Sequence, residues 1–123
     1  MPCKYKMEEN MTFKVAVVST DKEKVNEHFG KAKEFLIYVI NDDGTYEFIE
    51  ARENIPPCSK GDHAADIMNN AVNLIQDVKV LLVSNVGPGA INVLIDKKIK
   101  PYVTSYTIDK ALKELYIAEK DLH

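Results

Sequence analysis

The sequence predicts an α/β domain: a five-stranded mixed sheet in the order 3-2-1-4-5, flanked by helices, the ribonuclease H-like arrangement. Three observations lead there. Residues 13–20 and 80–83 are nearly continuous apolar runs, as in strands covered on both faces. Asp43-Gly44 separates two further strand-like runs, and Asp-Gly supplies the positive φ that a tight hairpin turn needs. Beyond that hairpin, helical and strand patterns alternate, which implies right-handed crossover units with helices on the faces of the sheet.

Each element has its own signal. The first strand is Phe-Lys-Val-Ala-Val-Val-Ser-Thr, ending at Thr20, and a polar stretch follows from Asp21 to Lys33. The second strand is the apolar run from Phe35 to Ile40. The third returns from Thr45 to Arg52, where Tyr46 and Phe48 interspersed with Glu47 and Glu50 suit a sheet edge. Ile55-Pro56-Pro57-Cys58 excludes helix, and Asp62 suits the N-cap of the first long helix. In that helix Ala64, Ile67, Met68, Ala71 and Ile75 recur at helical spacing and form an apolar stripe. After the fourth strand, Gly87-Pro88-Gly89 turns the chain, and Pro88 fits a first helical turn. Ala90, Ile91, Val93 and Leu94 give that helix its buried side. Tyr102-Val103 is a short last strand, and Ile108, Ala111, Leu112 and Leu115 mark a terminal helix.

With the second strand antiparallel, the other four point the same way. The loops that follow them, at residues 19–33, 53–61, 84–89 and 104–107, converge on one edge of the sheet. The strand order reverses between strands one and four, and ligands favour the crevice at such a switch point.

Composition narrows the function. The 123 residues carry a formal net charge of −3, which disfavours a nucleic-acid binder with a dominant basic face. No apolar run reaches the roughly 18–20 residues of a membrane span, and the polar start is no signal peptide. Residues 1–11 read as a flexible N-terminal tail and residues 12–123 as a single domain. Two cysteines, Cys3 and Cys58, make no disulfide framework, so the expected compartment is the reducing cytoplasm.

Three residues able to bind soft or borderline metals lie in two of the converging loops: His28, Cys58 and His63. Thiolate and imidazole are ligands for iron, iron–sulfur clusters, zinc or copper. A helix N-terminus beside Cys58 would favour its thiolate, and Gly61 allows the backbone freedom for Cys58 and His63 to face one ligand. The alternative is an inert Cys58, a solvent-exposed His28 and a capping His63. Gly87 and Gly89, at a strand-to-helix turn on the same edge, can present backbone N–H groups to the anionic part of a ligand. Catalytic readings do poorly. Ribonuclease H-like nucleases need several carboxylates around their metals, and the centre of the first strand has none. No catalytic residue is assigned.

Val15-Ala16-Val17-Val18, followed by His28-Phe29-Gly30-Lys31-Ala32-Lys33-Glu34-Phe35, resembles the dinitrogenase iron–molybdenum cofactor biosynthesis family, which includes NifX, the core of NafY and the C-terminal domain of NifB. The pattern is a strand, a short loop, then His-Phe-Gly-x-Ala-x-x-Phe. The later Asn85-Val86-Gly87-Pro88 resembles the family's second hallmark turn. The resemblance covers roughly residues 12–116. It implies a non-enzymatic carrier of an iron–sulfur or iron–molybdenum cofactor precursor, with cluster-synthesising or acceptor proteins as partners. It also implies a role for His28 in holding cofactor; Cys58 and His63 rest on ligand chemistry. The competing expectation is a small-molecule or anion-binding regulatory module built on the Gly87–Gly89 turn and unrelated to nitrogenase.

Overall fold

The computed structural model describes residues 12–54 and 70–121. Strands β1 (Phe13–Val17), β2 (Glu34–Ile40), β3 (Tyr46–Glu53), β4 (Val80–Val83) and β5 (Lys100–Val103) form one sheet in the order β3-β2-β1-β4-β5. Helix α1 is described over residues 70–74, and α2 (Pro88–Asp96) and α3 (Ile108–Asp121) follow β4 and β5. β2 runs antiparallel to β1 and β3, whereas β1, β4 and β5 are parallel. The strand order and directions are those the sequence predicts. The expected tail, residues 1–11, lies outside the described residues, as does the expected N-cap Asp62.

The apolar runs are explained by burial on both faces. Ala16, Ile37, Leu81 and Val83 join Ala71, Val72, Ile75, Ala90 and Leu94 in a core against α1 and α2. Val15, Val17, Leu36, Ile40 and Leu82 join Ile108, Ala111, Leu112 and Leu115 in a second core against α3. Alternate residues over 15–17 and 80–83 thus serve opposite cores, whereas Lys14, near the start of β1, is half-exposed and pairs with Asp77.

Boundaries shift where side chains compete for the backbone. β1 stops at Val17 rather than Thr20, although the Val18 N–H still donates to Leu82 O at 3.0 Å. Ser19 Oγ then accepts from the Lys22 N–H, and Asp21 Oδ1 accepts from the amides of Glu23 and Lys24, curling the chain out of the sheet. β5 begins two residues before Tyr102, because the Lys100 N–H donates to Lys79 O and extends the parallel ladder. In the hairpin, Gly44 takes φ 92°, and a Cβ there would sit 3.1 Å from the Tyr116 ring of α3. β3 is irregular: Ile37 faces Glu50 while Tyr38 faces Phe48, so Ile49 is an extra residue in a bulge on the edge strand. That bulge and the row of glutamates blunt the open edge.

Polar ties close the fold's corners. Arg52 donates from both Nη atoms to Asp77, at 2.7 and 3.0 Å, and from Nη1 to Leu74 O at 2.8 Å. This clasp joins the end of β3 to the segment after α1. On the other face Glu119, nearly fully buried, accepts from Tyr102 Oη at 2.8 Å and from Lys100 Nζ at 3.2 Å, with Lys79 Nζ at 3.5 Å. Burial pushes its carboxyl up, but Tyr102 and the two lysines more than offset this and hold it below its ordinary value.

α2 ends in a Schellman arrangement: the Ile99 N–H donates to Leu94 O and the Lys98 N–H to Ile95 O. Lys98 carries the left-handed conformation, φ 65°, that glycine usually supplies there. Lys98→Gly is expected to raise stability by about 0.5–1 kcal/mol in denaturant unfolding, because the Cβ strain outweighs the extra freedom of glycine in the unfolded chain.

The Arg52 guanidinium, helped by Lys14, holds the Asp77 carboxyl well below the usual carboxylate range against the opposing effect of burial. A carboxylate whose folded pKa is depressed stabilises the fold fully above its unfolded value. That contribution fades as pH falls below about 4. The melting temperature of Asp77→Asn is therefore expected to fall less steeply between about pH 5 and pH 2 than that of the wild type. Identical slopes would show that the clasp adds nothing measurable.

Candidate functional site

The polar segment after β1 is expected to form an exposed, flexible loop that carries His28; His28 is exposed, but the backbone of the segment is tied to its neighbours. The Val25 N–H donates to Tyr106 O at 3.0 Å, and Glu23 O accepts from the Ile108 N–H at 2.8 Å. Asn26 Oδ1 accepts from the amide and the hydroxyl of Thr20. Past these ties the chain runs beside the residues that follow β4. The Ser84 N–H donates to Glu27 O and the Phe29 N–H donates to Asn85 O, each at 3.0 Å. His28 and Asn85 therefore face each other across a parallel bridge that continues the β1–β4 junction beyond the ends of both strands.

Each residue of His28-Phe29-Gly30 has a different environment. Phe29 is buried, its ring 6.0 Å from that of Phe35, and Ala32 is buried beside it. His28 is exposed, in extended conformation at the start of a 3-10 turn over Phe29–Lys31, and its N–H donates to Glu27 Oε1 at 2.9 Å. A core aromatic thus anchors the turn while the imidazole stands in solvent, as the polar composition of the loop predicts.

The other wall is the turn into α2. Pro88 opens the helix, as the sequence predicts, with Gly87 as its N-cap, and among the described residues no side chain caps the helix start. The amides of Gly89 and Ala90, in the first turn, consequently lack intrahelical acceptors. His28, Gly30, Lys31, Asn85, Val86 and Gly87 line one shallow depression of about 380 Å³ at the carboxyl edge of the sheet. A more polar cavity of about 360 Å³, beneath Ser19, Thr20 and Glu27, lies on the other side of Lys31, which lines both. A third groove of about 290 Å³, between β5 and α3, has neither histidine nor cysteine among the described residues that line it.

The structure thus brings His28 and Gly87 together, and Gly89 follows in the first turn of α2. Cys58 and His63 lie outside the described residues. Among the described residues, no group of three or more His, Cys, Asp or Glu side chains is arranged to hold a metal ion. Sequence reasoning passes over Gly30, Lys31 and Asn85 as site residues. Gly30 and Lys31 follow His28 directly, and Asn85 stands two residues before Gly87, so proximity to the motif residues is the available signal.

These features accord with the comparisons. The chain belongs to the dinitrogenase iron-molybdenum cofactor family, whose family model matches residues 11–117. Among curated relatives it is similar to the FeMo cofactor biosynthesis protein NifB of Frankia alni, 31% identical over 104 residues covering 82% of this chain and 20% of that protein. It is also similar to NifB of Herbaspirillum seropedicae, 33% identical over 73 residues covering 59% of this chain and 14% of that protein. The chain therefore spans a fifth or less of the length of these relatives. Among solved structures, the apo form of the orange protein from Desulfovibrio gigas superposes with a TM-score of 0.59 at 21% identity, covering 86% of this chain and 88% of that one. A candidate dinitrogenase from Methanocaldococcus jannaschii gives a TM-score of 0.59 at 21% identity, covering 89% and 92%. At these identities the structural likeness concerns the fold.

Neither conformation nor packing explains glycine at position 30. Its φ is not positive, and among the described residues a Cβ there would meet nothing within 4 Å. Gly30→Ala is therefore expected to leave thermal stability unchanged or to raise it by about 0.4–1 kcal/mol. A clear loss of stability would show that glycine is kept there for the fold rather than for the open depression.

Proposed function

We propose that the protein is a carrier that holds an iron–sulfur or iron–molybdenum cofactor precursor at the carboxyl edge of its sheet and releases it to an acceptor protein, without transforming it. On this reading the fold is ribonuclease H-like in strand order, the site works in the cytoplasm, and the partners are cluster-synthesising and acceptor proteins. The observation that carries it is the exposed imidazole of His28, displayed by a backbone-anchored turn beside the open Gly87 wall. Family membership supports the class of cargo. Among the described residues no helix is long and apolar enough to cross a membrane.

A single imidazole suits a carrier. Neutral imidazole donates a lone pair to a borderline metal such as iron, and one bond of this kind is readily exchanged. Cys58 and His63 are the proposed additional ligands, and the cargo's own sulfides complete the shell of each metal. Lys31, lining the same depression, favours a cargo of net negative charge.

The test is anaerobic reconstitution with ferrous iron and sulfide, followed by desalting, absorbance spectroscopy and metal analysis. His28→Ala and Cys58→Ser are each expected to lower cluster affinity by about tenfold or more, since even indirect ligand supports are worth that much. The double variant should lose less than the sum of the two if both touch one cluster. Equal occupancy in the wild type and His28→Ala, with matched circular dichroism, would reject the reading. Equal occupancy in Cys58→Ser alone would remove Cys58 from the ligand set.

A further inference from the structure

The parallel bridge does more than anchor His28. Bridged residues in neighbouring strands present their side chains on the same side of the ladder, about 5 Å apart. His28 and Asn85 are bridged, both are exposed, and both line the same depression. The bonds that hold Asn85 in place are made by its main chain, through Phe29 N–H to Asn85 O. Among the described residues its carboxamide has no hydrogen-bond partner. That differs from Asn26, Asn41 and Asn54, whose side chains are engaged by the Thr20 amide, the Thr45 hydroxyl and the Ala32 carbonyl respectively. The carboxamide beside His28 is thus a hydrogen-bonding group fixed at its root and, among the described residues, unengaged at its tip.

We infer that Asn85 is a second contact residue for the cargo, its Nδ2–H donating to an acceptor atom of the metal cluster, such as a bridging sulfide, while His28 binds metal. The inference rests on the carrier reading of the same depression. A carboxamide can donate or accept, so the partner atom is settled by the other groups present. Among the described residues, those lining the depression include one cation, Lys31, and no carboxylate; the nearby Glu27 carboxylate is engaged by the His28 N–H at 2.9 Å and lines the cavity on the other side of Lys31. The surroundings therefore favour an anionic cargo, whose sulfur or oxygen atoms are acceptors. His28 and Asn85 together give a two-point contact, which fixes orientation where a lone imidazole would leave the cluster free to turn. Because the bridge joins the residues after β4 to the segment after β1, both contacts keep their spacing with or without cargo.

The inference separates from the carrier reading in one series of variants, using the iron–sulfur cluster assembled from ferrous iron and sulfide on the full chain. Asn85→Leu keeps the approximate size and removes the N–H; Asn85→Asp keeps the shape and turns the donor into a negative acceptor. Asn85→Leu is expected to weaken cluster retention about tenfold, the value of one hydrogen bond to a charged group. Asn85→Asp should weaken it further. In whatever cluster Asn85→Leu still holds, the midpoint potential should shift to a lower value, since an N–H on sulfide stabilises the more negative, reduced form. A merely structural role would not move that potential. His28→Ala is run alongside: loss with His28→Ala but wild-type affinity and potential in Asn85→Leu would overturn the assignment of Asn85 and leave the carrier reading intact. Equal binding by Asn85→Asp at an unchanged midpoint potential would also overturn it, because a carboxylate cannot donate to sulfide. Unchanged binding in His28→Ala would remove the carrier reading itself.

Discussion

The parallel junction between β1 and β4 is the constraint on which the rest depends. Among the described strands it is where the first half of the chain pairs with the crossover units, and it does not stop where the strands do. Three register pairs, from Val15↔Val80 to Val17↔Leu82, lead through Val18 N–H to Leu82 O into the bonds linking Glu27–Phe29 with Ser84 and Asn85. A parallel ladder leaves evenly spaced backbone donors and acceptors at its carboxyl end. Here a returning loop takes them up, so the edge that would otherwise be bare backbone becomes the floor of the candidate site.

The two cores make that junction rigid. β1 and β4 are buried on both faces, and Phe29 carries the packing past the end of the sheet by inserting beside Phe35. Deeply packed elements open only near the free energy of global unfolding, whereas exposed side chains on them reorient freely. His28 therefore has a fixed base and a free tip. The clasp of Arg52 with Asp77 and Leu74 O draws the end of β3 to the end of α1, on the face of the sheet that also takes Phe29.

Much of the architecture is legible because its signals are local. The continuous apolar runs of β1 and β4 report burial on both faces, Asp43-Gly44 reports the hairpin, and Gly87-Pro88 reports the start of α2; each depends on one residue's conformational or burial preference. Boundaries are less legible. Ser19 and Asp21 end β1 through side-chain bonds to amides two to three residues away, and residues of that kind are also found at the ends of strands that do not curl. The bulge at Ile49 is hidden too, since an extra residue in one strand shows only in the register against its partner. Lys98 in the left-handed region carries no sequence mark, because the close of α2 is enforced by Ile99 entering the core.

For the site, the sequence by itself determined the chemistry that is available: an imidazole in a polar loop, a glycine-rich turn, a lysine beside them, and a topology that sends both loops to one edge. The motif that resembles the cofactor-biosynthesis family was likewise a property of residue order, and it matched the family to which the chain belongs. Only the tertiary structure decided which of these groups meet. His28 and Asn85 are separated by 56 intervening residues, and what makes them neighbours is a pair of main-chain hydrogen bonds that no side chain specifies. Backbone pairing is set by the register of the whole sheet, which the two cores select together, so the partner of His28 was a consequence of packing that lies far from either residue.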